Sequence, residues 1–144
     1  MSLYLHLECQ QCKTIYSKIE INSYCPKCTQ PLVARYQLHK STPKDIIHSD
    51  RYDMWRYAKL LPIENEDHIV NLGEGWTPLL HLPKSVKKYG LASIWLKEEG
   101  LNPTGSFKAR GIGMAISKGK ELGITSFCIP TAGNAGNALA AYTA

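Results

Sequence analysis

The sequence predicts an α/β fold: the opening of an open parallel sheet, incomplete in this chain, preceded by a small cysteine ribbon. Three observations carry that expectation. Four of the five cysteines stand in two Cys-x-x-Cys pairs within the first 28 residues. From residue 81 onward, short apolar runs alternate with helical periodicity, which is the pattern of βα units. Between these regions Pro43, Pro62, Gly73, Gly75 and Pro78 interrupt any long element.

Composition narrows the function classes. The chain has 144 residues, 44% hydrophobic and 20% charged, a globular balance. Seventeen basic and twelve acidic residues give a net charge of +5, spread along the whole length. No basic block with interleaved aromatics occurs, so no nucleic-acid partner is expected. The apolar runs fall short of a membrane span, and no membrane partner is expected. Met1–Glu8 lacks a charged leader and an apolar centre, and the default expectation is a cytoplasmic location.

Residues 1–40 read as short strands and turns. Cys9 and Cys12, then Cys25 and Cys28, are separated by a gap of twelve residues, room for one strand out and one back. Each pair can turn two thiolates toward one point, and four sulfurs complete a tetrahedral zinc ion, making a zinc ribbon. Disulfides, iron or a degenerate site are the alternatives. An all-sulfur set leaves no open position for substrate, so Zn2+ here would be structural. A forty-residue segment with so few large apolar residues would not fold without it.

Residues 41–80 read as a largely irregular wrapping segment. Trp55-Arg56-Tyr57 within it is expected to pack that segment onto the core rather than to act directly in a site. Residues 81–144 read as the start of an α/β domain, truncated here. Ile94-Trp95-Leu96 is predicted as a short buried strand. Lys108 to about Leu122 is a predicted helix with Ile112, Ala115, Ile116, Gly119 and Leu122 on one side. Lys118, Lys120 and Glu121 should mostly face water, and Gly123 stops the helix. Ser126-Phe127-Cys128-Ile129 is the next expected strand, with Cys128 a buried small hydrophobe. Another helix starts from Asn134. Strand–helix–strand of this length implies a parallel pair with a right-handed crossover. The final Ala138–Ala144 run has no cap or stop signal, and two strands would leave open edges. The chain is therefore expected to be the front part of a larger protein, or a fragment of one.

Chemistry concentrates in Asn102-Pro103-Thr104-Gly105-Ser106-Phe107-Lys108-Ala109-Arg110-Gly111. Its lysine stands behind a Pro/Gly turn at a helix mouth, where the macrodipole disfavours a cation. Held desolvated there, it can serve as a neutral nucleophile that forms a Schiff base with a carbonyl. Downstream, Thr131-Ala132-Gly133-Asn134-Ala135-Gly136-Asn137 is a small-residue loop entering a helix. Asn134 is the expected N-cap, and the amides of Gly133, Asn134 and Ala135 can form an anion site. An amine and an anion pocket together point to a covalently held carbonyl cofactor, with pyridoxal 5′-phosphate the obvious candidate.

With those residues in hand, the chain resembles the threonine synthases and, more broadly, the fold-type II pyridoxal-phosphate enzymes that include threonine dehydratase. The resemblance takes in the cysteine ribbon, Trp55-Arg56-Tyr57 with Leu60-Leu61-Pro62, Leu72-Gly73-Glu74-Gly75-Trp76-Thr77-Pro78-Leu79, the lysine motif and the asparagine loop. It implies that Lys108 holds the cofactor covalently and later moves the substrate's Cα proton, with Phe107 beside it. It also implies that Asn134 hydrogen-bonds the cofactor's 3′-oxygen, and that Thr131, Ala132, Gly133, Asn134 and Ala135 hold the substrate carboxylate. The implied reaction is conversion of O-phosphohomoserine and water to threonine and phosphate by a pyridoxal-phosphate-dependent lyase. The implied partners are a small amino-acid substrate and a second copy, as a homodimer of the full-length form.

Two positions depart from the family pattern. Ala109 replaces the aspartate that usually follows the lysine, as in many dehydratase-like members. Thr131-Ala132-Gly133-Asn134 replaces Ser-Thr-Gly-Asn, losing one hydroxyl. Both favour serine or threonine deamination as the alternative reaction. A different class is a zinc-ribbon interaction module fused to a catalytically silent partial domain. The family's separate Gly-rich phosphate loop and its partner for the pyridine nitrogen lie downstream, so this chain alone is expected to turn over nothing.

Overall fold

The computed structural model describes residues 2–38 and 43–144. The expected boundary at 40/41 lies outside the described residues. The N-terminal part is a three-stranded antiparallel sheet in the order β2-β1-β3, with β1 Tyr4–Cys9, β2 Ile15–Tyr16 and β3 Leu32–Tyr36. The register places Cys9 opposite Leu32 and Leu7 opposite both Ala34 and Tyr16. Each Cys-x-x-Cys closes the same tight turn. Lys13 N donates to Cys9 O (3.2 Å) and Thr29 N to Cys25 O (2.8 Å). The residue after each second cysteine is left-handed, Lys13 at φ 59° and Thr29 at φ 58°, a conformation that side chains resist.

This sheet docks on the following segment. Leu3 N donates to Lys59 O (2.8 Å), and Ser2 Oγ donates to Leu61 O (2.7 Å). Lys18 pairs with Glu64 at 3.0 Å. After the short helix α1, Pro43–Ile46, a 3-10 helix spans Met54–Leu60. Asp53 caps it by accepting from Trp55 N (2.9 Å), satisfying one of the donors a helix start leaves open. Its fully buried Trp55 packs with Met54 and Ile63 in one core cluster, against which Met114 rests.

The chain then runs through a hairpin of β4, Leu79–His81, and β5, Trp95–Lys97, which enclose helix α2, Pro83–Tyr89. Two longer helices complete the fold, α3 Lys108–Glu121 and α4 Asn134–Thr143. They pack through a second cluster of Ala109, Ile116 and Tyr142, flanked by Val70, Ile112, Phe127 and Leu139. Residues 64–74 strap α3. Glu121 accepts from Glu64 N and Asn65 N (both 2.7 Å), and Ser117 Oγ accepts from Val70 N (2.9 Å).

Several expectations are corrected. The only pairing among the described residues after 78 is antiparallel, β4 with β5, so the expected parallel pair is not formed. Residues 124–130 have no regular structure, because a strand exists only with a ladder partner and none lies beside them. Phe127 instead packs where Gly119 leaves room, 2.4 Å from where a Cβ would stand, and Cys128 is exposed rather than buried. The strand expected at 94–96 forms one residue later and is exposed, with Trp95 and Leu96 open to solvent, since no helix covers it. On α3 the phase also differs. Ala115 faces solvent, while Lys118 lies mostly covered, 2.5 Å from Glu121 and above the Tyr4 ring.

Candidate active site

The lysine motif is a chain of turns that delivers Lys108 to the first position of α3. Asn102 is buried and anchors it. Its Oδ1 accepts from Gly75 N (3.0 Å) and its Nδ2 donates to Glu99 O and Oε2 (both 2.9 Å). Pro103 keeps Asn102 extended at ψ 157°. Thr104 and Gly105 both turn left-handed, at φ 64° and 71°. Ser106 Oγ then accepts from Lys108 N (3.3 Å). Ala109 is fully buried in the α3–α4 contact, a place where a carboxylate would need partners of its own.

Lys108 itself is exposed, its Nζ 4.4 Å from the Phe107 ring centroid. The desolvated setting expected for it is thus not formed, since no element among the described residues covers this end of α3. Two open clefts flank the lysine. One, of about 420 Å³, is lined by Lys108, Pro130, Thr131, Ala132, Gly133, Asn134 and Ala135. The second, about 240 Å³, has Phe107, Lys108, Ile112, Ile129 and Ala135 among its walls. The fold therefore brings together every residue singled out for cofactor and substrate, across 28 positions of sequence (107 to 135).

The loop's wiring differs from expectation at one point. Asn134 is the first helical residue, and Gly133, at φ 146°, stands at the cap position without a side-chain bond. Thr131 does the capping: its Oγ1 accepts from Gly133 N and Gly136 N, both at 3.0 Å. An Asn followed by helix formers looks like a cap, but a threonine five residues before Gly136 can fold back over the first turn. The Gly133 amide is thereby engaged, leaving Asn134 and Ala135 as first-turn amides with no intrahelical acceptor.

Beneath the site lies a polar frame that the sequence reading did not single out. Glu74 is fully buried. Its Oε1 accepts from Trp55 Nε1 (2.7 Å), and its Oε2 accepts from Leu72 N (3.0 Å) and the Tyr142 hydroxyl (2.6 Å). Burial first, then the bond to Glu74, push the Tyr142 phenol far above its ordinary range. A Cβ at Gly113 would stand 2.8 Å from Tyr142, so glycine there lets the phenol reach the carboxylate. Arg110 grips Glu99 bidentately (Nε–Oε2 2.6 Å, Nη2–Oε1 2.8 Å), and Thr77 Oγ1 donates to the same carboxylate (2.7 Å). The Arg110 bonds, with further help from Thr77 and Asn102, hold the Glu99 carboxyl down at about 2 against the desolvation that opposes it. The available signal was a lone acid between two glycines in Gly73-Glu74-Gly75, and an arginine two positions beyond the lysine.

At the other end, the sulfurs of Cys9, Cys12, Cys25 and Cys28 all lie within 4.8 Å of one another. Cys9 to Cys28 is 3.4 Å and Cys12 to Cys25 is 3.5 Å, too long for disulfides. Tetrahedral zinc at the usual Zn–S distance sets sulfurs about 3.8 Å apart, so the four thiols fit that ion. The Tyr16 hydroxyl and Cys25 Sγ share a hydrogen bond (3.0 Å), and Cys12 N donates to Cys9 Sγ (3.4 Å). Burial opposes the Cys25 thiolate, but Tyr16 and the amides of Cys28 and Lys27 pull that thiol down.

Comparison with known proteins follows the same residues. Over 141 residues the chain is 38% identical to the threonine synthase of Methanosarcina acetivorans, covering 96% of this chain and 34% of that protein. It is 34% identical over 139 residues to the threonine synthase of Methanocaldococcus jannaschii, covering 94% and 34%. With that of Halalkalibacterium halodurans it shares 44% identity over 88 residues, 61% of this chain and 25% of the other. The chain spans about a third of the length of the curated relatives it matches. Residues 70–144, just over half of the chain and including Glu74, Lys108 and the loop at 131–135, match the family model described as pyridoxal-phosphate dependent enzyme, and the chain belongs to that family.

Proposed function

We propose that the chain is the lysine-bearing part of a pyridoxal-phosphate lyase that converts O-phosphohomoserine and water to threonine and phosphate. The observation that carries this reading is one open cleft lined by both Lys108 and the backbone-rich loop at 131–135. The donor set fits the cofactor: a primary amine for its aldehyde, and the carboxamide of Asn134 for its 3′-oxygen. The cleft volume falls in the range of small-molecule sites. Relatives of similar sequence carry the name threonine synthase, which supports the choice of substrate.

Bound pyridoxal phosphate supplies an electron sink that makes the substrate's Cα proton removable. Lys108 is both the covalent tether and the base that carries that proton. Its position on the first turn of α3, between Phe107 and the buried Ala109, sets the side chain at the edge of the cleft that the loop also lines. Asn134 would hydrogen-bond the cofactor's 3′-oxygen. The amides of Asn134 and Ala135 hold the substrate carboxylate, with Thr131 keeping the loop's shape through its two bonds. The exposed mouth admits water for the hydration step.

Ala109 and Ala132 favour a second reading, deamination of serine or threonine by the same lysine. Phosphate release from O-phosphohomoserine, against ammonia and 2-oxobutyrate release from threonine, decides between them. Borohydride treatment of the complete protein with excess cofactor should label the peptide containing Lys108, and Lys108→Ala should abolish both label and cofactor absorbance. A wild-type protein that takes up no label returns the chain to the interaction-module class. In the same reading Cys9, Cys12, Cys25 and Cys28 hold one structural Zn2+, residues 1–40 are its ribbon, 41–80 wrap, and the whole protein works as a homodimer.

A further inference from the structure

A third cleft, of about 520 Å³, shares no wall with the two beside Lys108. It is lined by Met54, Arg56, Tyr57, Trp76, Leu79 and Lys97, with Asp53, Thr77, Pro78 and Arg110. Arg110 sits two residues past Lys108, about 200° around α3, so this cleft opens on the other face of that helix.

Its charges are not balanced. Asp53 is committed to Arg51 and Asn71, and Arg110 is committed to Glu99. Lys97 donates to the Thr77 carbonyl and Arg56 takes part in no ion pair among the described residues. The Arg56 guanidinium lies 4.4 Å from the Trp76 ring centroid and 5.5 Å from that of Tyr57, and its Nε is buried without a partner. Stacking occupies the faces of a guanidinium and leaves its in-plane donors for a bidentate acceptor.

Trp76 adds an independent observation. It holds φ 50°, a left-handed backbone that a bulky residue rarely adopts, while the residue remains 56% exposed. Tyr52 meets it edge-on at 5.1 Å. Strain of this kind is not repaid by burial, and such residues gather at ligand clamps.

We propose that this cleft is a second binding site, for a small organic anion whose carboxylate or phosphate pairs with Arg56 while a flat apolar body lies against Trp76 and Tyr57. The site stands apart from the lysine chemistry and does not depend on the proposed reaction. The test uses the full chain, with and without added pyridoxal phosphate, titrated calorimetrically with phenyl phosphate and with benzoate. At least one probe should bind saturably, and Arg56→Gln should weaken it by about ten- to a hundredfold, the range of a charge-assisted pair. Tyr57→Ala, at an exposed position, should weaken it several-fold and serves as the second variant if Arg56→Gln does not fold. Lys108→Ala should leave both affinities unchanged. No saturable binding of either probe up to about 10 mM would overturn the proposal. So would affinities indifferent to both Arg56→Gln and Tyr57→Ala.

Discussion

Glu74 is the residue whose loss the structure translates most directly into free energy. Its carboxylate is fully buried and receives three donors, Trp55 Nε1, Leu72 N and the Tyr142 hydroxyl, at 2.7, 3.0 and 2.6 Å. These come from the 3-10 helix, from the loop itself and from α4, so one side chain joins three parts of the fold. Glu74→Gln keeps shape but offers a single acceptor oxygen. The amide nitrogen must then face at least one donor, because Leu72 N cannot reverse its role as a hydroxyl can. Loss of charge weakens the surviving bonds from about 1.5–3 to about 1 kcal/mol each. The sum is a destabilisation of about 2–4 kcal/mol, a large share of the 5–15 kcal/mol usual for a domain. Glu74→Ala strands three buried donors and should cost about 3–6 kcal/mol. Urea unfolding followed by tryptophan fluorescence measures both. Tyr142→Phe, which removes one donor, should be non-additive with Glu74→Gln because the two share a bond. A Glu74→Gln midpoint within about 0.5 kcal/mol of wild type would refute the reasoning.

The remaining predictions concern the metal, acid and one glycine. Metal analysis should find one zinc per chain, and chelation should unfold the ribbon while leaving the α3–α4 contact; a β1–β3 sheet that survives complete metal removal contradicts this. Glu99 is depressed in the folded state, to about 2. Its pairing with Arg110 therefore stabilises fully above the ordinary carboxylate range near pH 4.5, and that contribution fades as pH falls toward 2. After solvent screening it is about 1–2 kcal/mol, so wild type and Glu99→Gln should differ by that amount at pH 7 and converge near pH 2. Gly75→Ala places a Cβ 2.5 Å from Met54 N at φ 100°, where backbone must shift. It should lose at least about 2 kcal/mol in the same urea assay, whereas Gly111→Ala, with open space around it, should be neutral or better.

Much of the candidate site was legible because its signals are local. Two cysteines three apart can only turn toward each other, and Lys108 at a Pro/Gly turn before a periodic run could only begin a helix. The stop at Gly123 follows from the same logic and appears at φ 75°. What escaped was set by tertiary choice. Ser126–Ile129 is apolar enough for a strand, yet Phe127 found its place against Gly119 instead of in a ladder. Asn134 has the chemistry of a cap, but Thr131 reached the amides first. Glu74, an acid in a glycine-rich loop, carries every local mark of a solvated residue, and only the approach of Trp55 and Tyr142 buries it. Trp55-Arg56-Tyr57 packs as its residue types led one to expect, Trp55 in the core and Arg56 over the Trp76 and Tyr57 rings; the rings that meet Arg56 were set by the tertiary fold.

The strap across α3 has a consequence for how the molecule opens. Glu64, Asn65 and Val70 give their amides to the side chains of Glu121 and Ser117 on α3 rather than to a neighbouring strand. Those amides can meet solvent only when the helix bearing Lys108 lets go. Deuterium should therefore enter this strap, whose one regular element is the 3-10 turn Glu66–His68, as slowly as it enters the interior of α3, and the two should form one cooperative opening unit.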